Sequence, residues 1–142
     1  MSPAAKAIVY GVLVDVGGSV AAALVIAITY AVALAGSGMP AGEIERTMAD
    51  GEAPAWLSAI ELLTGGTASF LGGFVCARVA REREMQAVGV VAAVSGIVSL
   101  LMGRGAYAFE WSALLALASM AAVFAGGWTG TRKERRGDER SD

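Results

Sequence analysis

Four long stretches without a charged side chain dominate this sequence of 142 residues. A helix of about 20 apolar residues spans the hydrocarbon core of a bilayer, whereas a helix of a soluble protein keeps a polar face. These stretches are apolar all round, so the sequence predicts an all-α, polytopic membrane protein. The charge-free stretches are residues 16–39, 62–77, 85–103 and 111–131. The predicted transmembrane helices are about 7–35, 55–79, 86–103 and 109–131.

The composition excludes several other classes of protein. Hydrophobic residues make up 56% of the chain and charged residues 17%, against about 25% charged in average soluble domains, so a disordered chain is excluded. One Cys cannot form a disulfide within the chain. A net charge of −2 does not favour nucleic-acid binding.

The basic residues predict the orientation in the membrane, because cytoplasmic loops are rich in Lys and Arg. With both termini in the cytoplasm, 9 of the 11 basic residues lie on that side, and only Arg46 and Arg104 lie outside. We therefore expect a bacterial inner-membrane protein with one domain at 1–131, an outer loop at 36–55 and a charged, frayed cytoplasmic tail at 132–142. The nine inner residues are Lys6, Arg78, Arg81, Arg83, Arg132, Lys133, Arg135, Arg136 and Arg140.

The outer loop carries signals for a short helix. Gly36, Gly38 and Pro40 are expected to end the first transmembrane helix, and Pro is well suited to open the next one. Ile44 and Met48 are four residues apart and so share one helical face. The sequence predicts a short amphipathic helix on the outer membrane surface, ended by Asp50-Gly51.

An internal repeat joins the ends of the second and fourth transmembrane helices. Residues 70–78 read FLGGFVCAR and residues 124–132 read FAGGWTGTR. A weaker match relates Gly11 and Gly17-Gly18 to Gly89 and Ser95-Gly96. The chain therefore resembles two parallel helical hairpins, at 1–84 and 85–131.

Small residues recur at helical spacing in every predicted span and indicate close helix packing, since Gly lets backbones approach in lipid. Such packing leaves little room for a wide aqueous pore within one subunit. Arg78 and Arg132 each follow one Gly-Gly pair. Each is expected to reach the lipid headgroups with its long side chain. The glycines predicted at helix contacts are Gly18, Gly65, Gly72, Gly73, Gly96, Gly126 and Gly127.

Three short motifs resemble an uncharacterised family of small bacterial four-helix integral membrane proteins. They are VDVGGS at 14–19, GMP at 38–40 with Glu43-Ile44, and the Gly-Gly-aromatic-x3-Arg helix ends. The resemblance extends over nearly the whole chain. It implies the fold and a bacterial inner-membrane location, and it implies no activity.

Asp15 and Glu61 are the only charged residues well inside the predicted spans, since Arg78 and Glu110 each lie one residue from a span end. A charge in the hydrocarbon region is costly, so such residues are candidates for a functional site. Their positions place Asp15 in the inner half of the membrane and Glu61 in the outer leaflet. They could mark two stations of a cation or proton path, or they could be two separate interfacial or structural residues.

No catalytic constellation accompanies them. The chain has no His, so haem ligation and most zinc sites are not expected, and no cofactor or metal is predicted. The leading hypothesis is a non-enzymatic membrane component, oligomeric or bound to a membrane protein partner, whose role the sequence does not name. The alternative is a small cation- or proton-coupled transporter that uses Asp15 and Glu61.

Overall fold

The chain folds into a bundle of long helices. The computed structural model describes residues 2–49, 54–80, 84–103 and 109–138, and for residues 102, 103, 109 and 132–138 it describes the backbone alone. The N-terminal helix Pro3–Gly36 consists of α1 (Pro3–Val12), a π-helical turn (Leu13–Gly17) and α2 (Gly18–Gly36). The other helices are α3 (Ala41–Ala49), α4 (Ala55–Ala80), α5 (Glu84–Gly103) and α6 (Phe109–Asp138).

The described residues form helices and no strands, which confirms the all-α prediction. The N-terminal helix, α4, α5 and α6 are each long and apolar enough to cross a membrane. This confirms the prediction of four candidate spans. The predicted Asp50-Gly51 stop lies outside the described residues, as do Arg81 and Arg83 in one predicted turn and Arg104 in another.

Two helix ends differ from the prediction. The N-terminal helix begins at Pro3 rather than near residue 7, because the Ser2 hydroxyl caps it by accepting from the Ala5 N–H at 3.2 Å. Ser is a preferred N-cap residue, and Pro is favoured at the first helical position. At the other end, α6 continues to Asp138, so much of the predicted frayed tail is helical. Lys, Arg and Glu are good helix formers, and basic side chains near a helix C-terminus are favourable.

The N-terminal helix ends in a Schellman motif. The Met39 N–H donates to the Leu34 carbonyl and the Gly38 N–H to the Ala35 carbonyl, with Gly38 in the left-handed region at φ 87°. Gly is the usual residue at this position because it has no Cβ to clash. The chain then turns into α3, whose first N–H groups donate to the Pro40 carbonyl. The predicted short helix is therefore present.

The bundle is tightly packed in one half and open in the other. Helix α4 is central and contacts α1, α5 and α6, and α1 also packs against α5. By contrast, none of the 19 residues of α2 is buried, and α2 packs on α4 and α3 without substantial contact with α5 or α6. The closed half has a core of small and β-branched residues: Ala7, Cys76, Ala77, Ala80, Ala87, Val88, Val91, Ala92 and Val123.

The two Gly-Gly pairs lie where the helices cross most closely. A Cβ on Gly73 would overlap the Val123 carbonyl of α6, and a Cβ on Gly126 would overlap the Phe70 carbonyl of α4. A Cβ on Gly127 would lie 2.7 Å from the Val88 side chain. Both pairs therefore bring helix backbones into contact, as expected for small residues in lipid-embedded helices.

The other predicted packing glycines divide into two groups. A Cβ on Gly18 would lie at ordinary contact distance from Ala68, and a Cβ on Gly96 would lie 2.8 Å from the Met120 sulfur. Gly65, predicted at a helix contact, instead has no atom within 4 Å of where its Cβ would lie. The reason is the divergence of α2 from α5 and α6, which leaves Gly65 facing open space.

Candidate functional site

Asp15 is the one buried carboxylate among the side chains that the structure describes. It lies in the middle of the π-helical turn Leu13–Gly17, and 3% of its surface is exposed. Single π-helical turns within α-helices are frequent at functional sites. Gly72 of α4 makes room for it, since a Cβ there would lie 2.7 Å from the Asp15 Cβ. The side chain is thus seated against α4.

Two serine hydroxyls donate to this carboxylate, and a third serine bonds to one of them. The Ser69 hydroxyl donates to Asp15 Oδ1 at 2.6 Å, and the Ser95 hydroxyl donates to Asp15 Oδ2. Ser69 also shares a hydrogen bond of 3.1 Å with Ser119, and Ser95 lies 2.9 Å from the Val91 carbonyl oxygen. We call Asp15, Ser69, Ser95 and Ser119 the Asp15 cluster. Each of the four long helices contributes one member.

The cluster lies near the middle of the spans. Ser69 is 14 residues from the start of α4 and 11 from its end, which corresponds to about 21 and 16 Å along the helix. Ser95 and Ser119 occupy similar central positions in α5 and α6. Asp15 is therefore level with the middle of the three helices that pack around it.

A cavity of about 600 Å³ extends from the Asp15 cluster into the open half of the bundle. Glu61 lines the same cavity and is exposed. Eight residues separate Glu61 from Ser69 on α4, so the two carboxylates are about 12 Å apart along the helix axis. The other polar side chains on its wall are the hydroxyls of Ser19, Ser58, Thr64, Ser69, Ser95, Ser99 and Ser119.

The cavity differs from the sequence-based picture in one respect. The small-residue stripes predict close packing along the whole bundle, yet Gly65 and Gly66 face this open space. Small residues permit close approach but do not enforce it. Here α2 makes no substantial contact with α5 or α6, so the space between these helices stays open.

The electrostatics of the site are unbalanced. None of the described residues that line the cavity is basic. Hydrogen bonds from serines solvate a carboxylate but bring no opposite charge, and an unpaired buried charge is unfavourable. Asp15 therefore has hydrogen-bond donors but no basic partner among the described residues of the cavity wall.

The remaining predicted residues lie away from the cavity. The Arg78 guanidinium stacks over the Phe74 ring at 4.9 Å from its centroid, and its residue is exposed. The Arg132 side chain lies outside the described part of the structure. Cys76 is buried near Gly11. Among the described residues, no group of three His, Cys, Asp or Glu side chains could hold a metal ion.

Sequence reasoning missed the serines that bind Asp15. Ser69 and Ser95 each lie one residue away from a small residue that was expected at a helix contact, namely Ala68 and Gly96. Their position along the helices could have indicated them, because each of the last three spans carries a Ser near its midpoint. A buried carboxylate needs such donors, and mid-span hydroxyls are the groups that can supply them.

Comparison with known proteins finds no matching family model, no matching curated protein and no matching solved structure. The resemblance to a family of four-helix bacterial membrane proteins therefore stays a prediction, and the function is inferred from the cavity.

Proposed function

We propose that this protein is a small cation- or proton-coupled transporter in which Glu61 and Asp15 are two stations of one path. The observation that carries the proposal is that both membrane-embedded carboxylates line the same cavity. The sequence alone left a path and two unrelated interfacial residues as alternatives. A shared cavity that ends at mid-span favours the path.

The asymmetry of the bundle supports this proposal. Beyond Asp15 the cavity is closed by tightly packed small residues, including Ala7, Ala77 and Val88. A site in the middle of the bundle that is closed at one end by packed side chains is compatible with alternating access. In this arrangement an ion enters past Glu61 and is held at Asp15.

The proposal includes the cellular setting expected from the sequence. The protein would lie in the bacterial inner membrane with both termini in the cytoplasm, so that the cavity opens to the outer side. The two hairpins would be parallel repeats, and the close crossing of the two Gly-Gly pairs is consistent with that arrangement. Its partners would be the bilayer and a second copy of the chain.

Flux measurements in proteoliposomes test the proposal. The full chain would be reconstituted and the uptake of protons, Na⁺ and K⁺ compared for wild type, Asp15→Asn and Glu61→Gln. We expect Asp15→Asn to reduce flux by at least about tenfold, since losing about 1.4 kcal/mol of ion binding has that effect. Glu61→Gln should slow uptake because it removes the charge that attracts a cation to the cavity.

Glu110→Gln is the matched control. Glu110 is an exposed carboxylate in the first turn of α6 and is not part of the cavity wall, so its variant should transport like wild type. Absence of flux for all three ions in the wild type would overturn the transporter proposal. The alternative of a non-enzymatic oligomerising or accessory membrane component would then be favoured.

A further inference from the structure

We propose that the ion held at Asp15 is a proton, taken up through rotation of the Ser69 and Ser95 hydroxyls. This inference rests on the proposed transport function and names its ion. It is carried by the geometry of the Asp15 cluster, in which each of these hydroxyls has two acceptors within reach.

In the ionised state all hydroxyl hydrogens point towards the carboxylate. Ser69 donates to Oδ1, Ser95 donates to Oδ2, and Ser119 donates to the Ser69 oxygen. An ionised carboxylate only accepts hydrogen bonds, whereas a hydroxyl both donates and accepts. This arrangement therefore satisfies every member of the cluster while Asp15 is charged.

The protonated state is satisfied as well. A hydronium ion in the cavity transfers its proton to Oδ2, which forms the O–H bond of a carboxylic acid and leaves a water molecule. The new O–H donates to the Ser95 oxygen, and the Ser95 hydroxyl turns to the Val91 carbonyl 2.9 Å away. If the proton binds Oδ1 instead, the new O–H donates to the Ser69 oxygen, and the Ser69 hydroxyl turns to donate to Ser119. Neither change moves a heavy atom.

A metal cation fits the cluster less well. Hard cations such as Mg²⁺ and Ca²⁺ take six or more oxygen ligands with their lone pairs directed at the ion. The Asp15 cluster offers the two oxygens of one carboxylate and three hydroxyl oxygens, fewer than such an ion takes. A proton needs only one lone pair, so it is the ion that this arrangement accepts without rebuilding.

Few other titratable groups face Asp15 in the described structure. Glu61 on α4 lines the same cavity about 12 Å away along the helix, and Cys76 on α4 is buried beside Gly11. Helices α5 and α6 present only serine hydroxyls as polar groups to the described cavity wall. Proton uptake at the base of the cavity is therefore assigned to Asp15 itself.

Infrared difference spectroscopy on the reconstituted full chain tests this inference. We expect the C=O stretching band of a protonated carboxyl in wild type and its loss in Asp15→Asn. Ser69→Ala and Ser95→Ala should each move the band to higher frequency, because the acid loses a hydrogen-bond partner. Each should also slow proton flux about tenfold, as expected when a hydrogen bond to a charged group is removed.

Thr67→Ala is the matched control for these variants. Thr67 lies two residues from Ser69 on α4, is exposed, and donates to the Leu63 carbonyl of its own helix at 2.7 Å. It should leave both the band and the flux unchanged. If either serine variant fails to fold, the other gives the same readout.

Two results would overturn the inference while leaving the transport proposal standing, and a third would overturn both. Flux carried by Na⁺ or K⁺, with no infrared band from a protonated Asp15, would show that the bound ion is not a proton. The proposed transport function would then remain. A band that neither serine variant moves would contradict the hydroxyl switch. Absence of any flux would contradict the proposed function, on which this inference depends.

Discussion

At the scale of single residues, Gly72 and Asp15 depend on each other. The missing side chain of Gly72 leaves the space that the Asp15 Cβ occupies, and the Gly11 carbonyl lies 2.8 Å from the same point. Asp15 can therefore reach the Ser69 hydroxyl only because α4 carries a glycine one turn away. In this bundle glycine positions a polar group, in addition to letting helices approach.

The variant Gly72→Ala tests this dependence. The added methyl group must displace Asp15 or separate the helices, and overpacking of this kind costs typically about 1–3 kcal/mol. We expect a lower free energy of unfolding in a denaturant titration of the detergent-solubilised protein. The infrared spectrum should also show a weaker protonated-carboxyl band at Asp15.

Gly65→Ala is the control on the same helix. Nothing lies within 4 Å of its new Cβ, and Ala is favoured over Gly within a helix by roughly 0.5–1 kcal/mol. Stability should therefore stay the same or rise slightly. Equal losses of stability in both variants would show that the contact with Asp15 is not the cause.

At the scale of elements, the N-terminal helix is two segments joined by a wider turn. Helix α1 packs into the closed half of the bundle, whereas α2 packs mainly on α4. At the far end, the Tyr30 ring meets the Trp56 ring edge-on, with centroids 6.2 Å apart. The position of α2, and with it the width of the cavity, therefore depends on the π-helical turn, this aromatic contact and the C-cap beyond Gly36.

The C-cap of α2 can be tested with a pair of glycines two residues apart. Gly38 has a φ of 87° and Gly36 ends the helix, and a Cβ added at either would have no neighbour within 4 Å. Gly38→Ala should lower the free energy of unfolding by about 1–2 kcal/mol, because a Cβ is strained in the left-handed region. Gly36→Ala should not lower it, and a matched loss there would contradict the capping role.

At the scale of the whole molecule, the side on which the cavity opens depends on the orientation of the chain. The distribution of basic residues predicts that the α2–α3 connection lies outside and the C-terminal tail inside. Because the transport proposal has the ion enter from the outer side, the orientation is a part of the mechanism. It is open to a direct labelling experiment.

Single-cysteine labelling provides that experiment. The buried Cys76 would be replaced as Cys76→Ser, and Ser37→Cys or Ser141→Cys added. A membrane-impermeant maleimide should label Ser37→Cys in intact cells and Ser141→Cys only after permeabilisation. The reverse labelling pattern would mean that the cavity opens to the cytoplasm, so the ion would have to enter from that side.

The sequence predicted the four spans and the Gly-Gly contacts because both follow from local rules. Charge-free length determines the spans, and small residues at helical spacing determine where backbones approach. The Asp15 cluster could not be predicted in this way. Ser69, Ser95 and Ser119 come together only through the relative rotation and depth of three separate helices, which no local spacing encodes. The π-helical turn at Asp15 and the divergence of α2 likewise arise from packing.

The order of synthesis gives the Asp15 cluster a further consequence. Asp15 emerges from the ribosome first, and its hydrogen-bond donors Ser69 and Ser95 follow 54 and 80 residues later. The N-terminal helix must therefore enter the membrane while its carboxylate has none of these hydrogen bonds, at a cost of roughly 2.5–3.5 kcal/mol on insertion scales. It is also the most apolar of the four candidate spans. Its surplus of aliphatic side chains offsets the penalty until the later helices arrive.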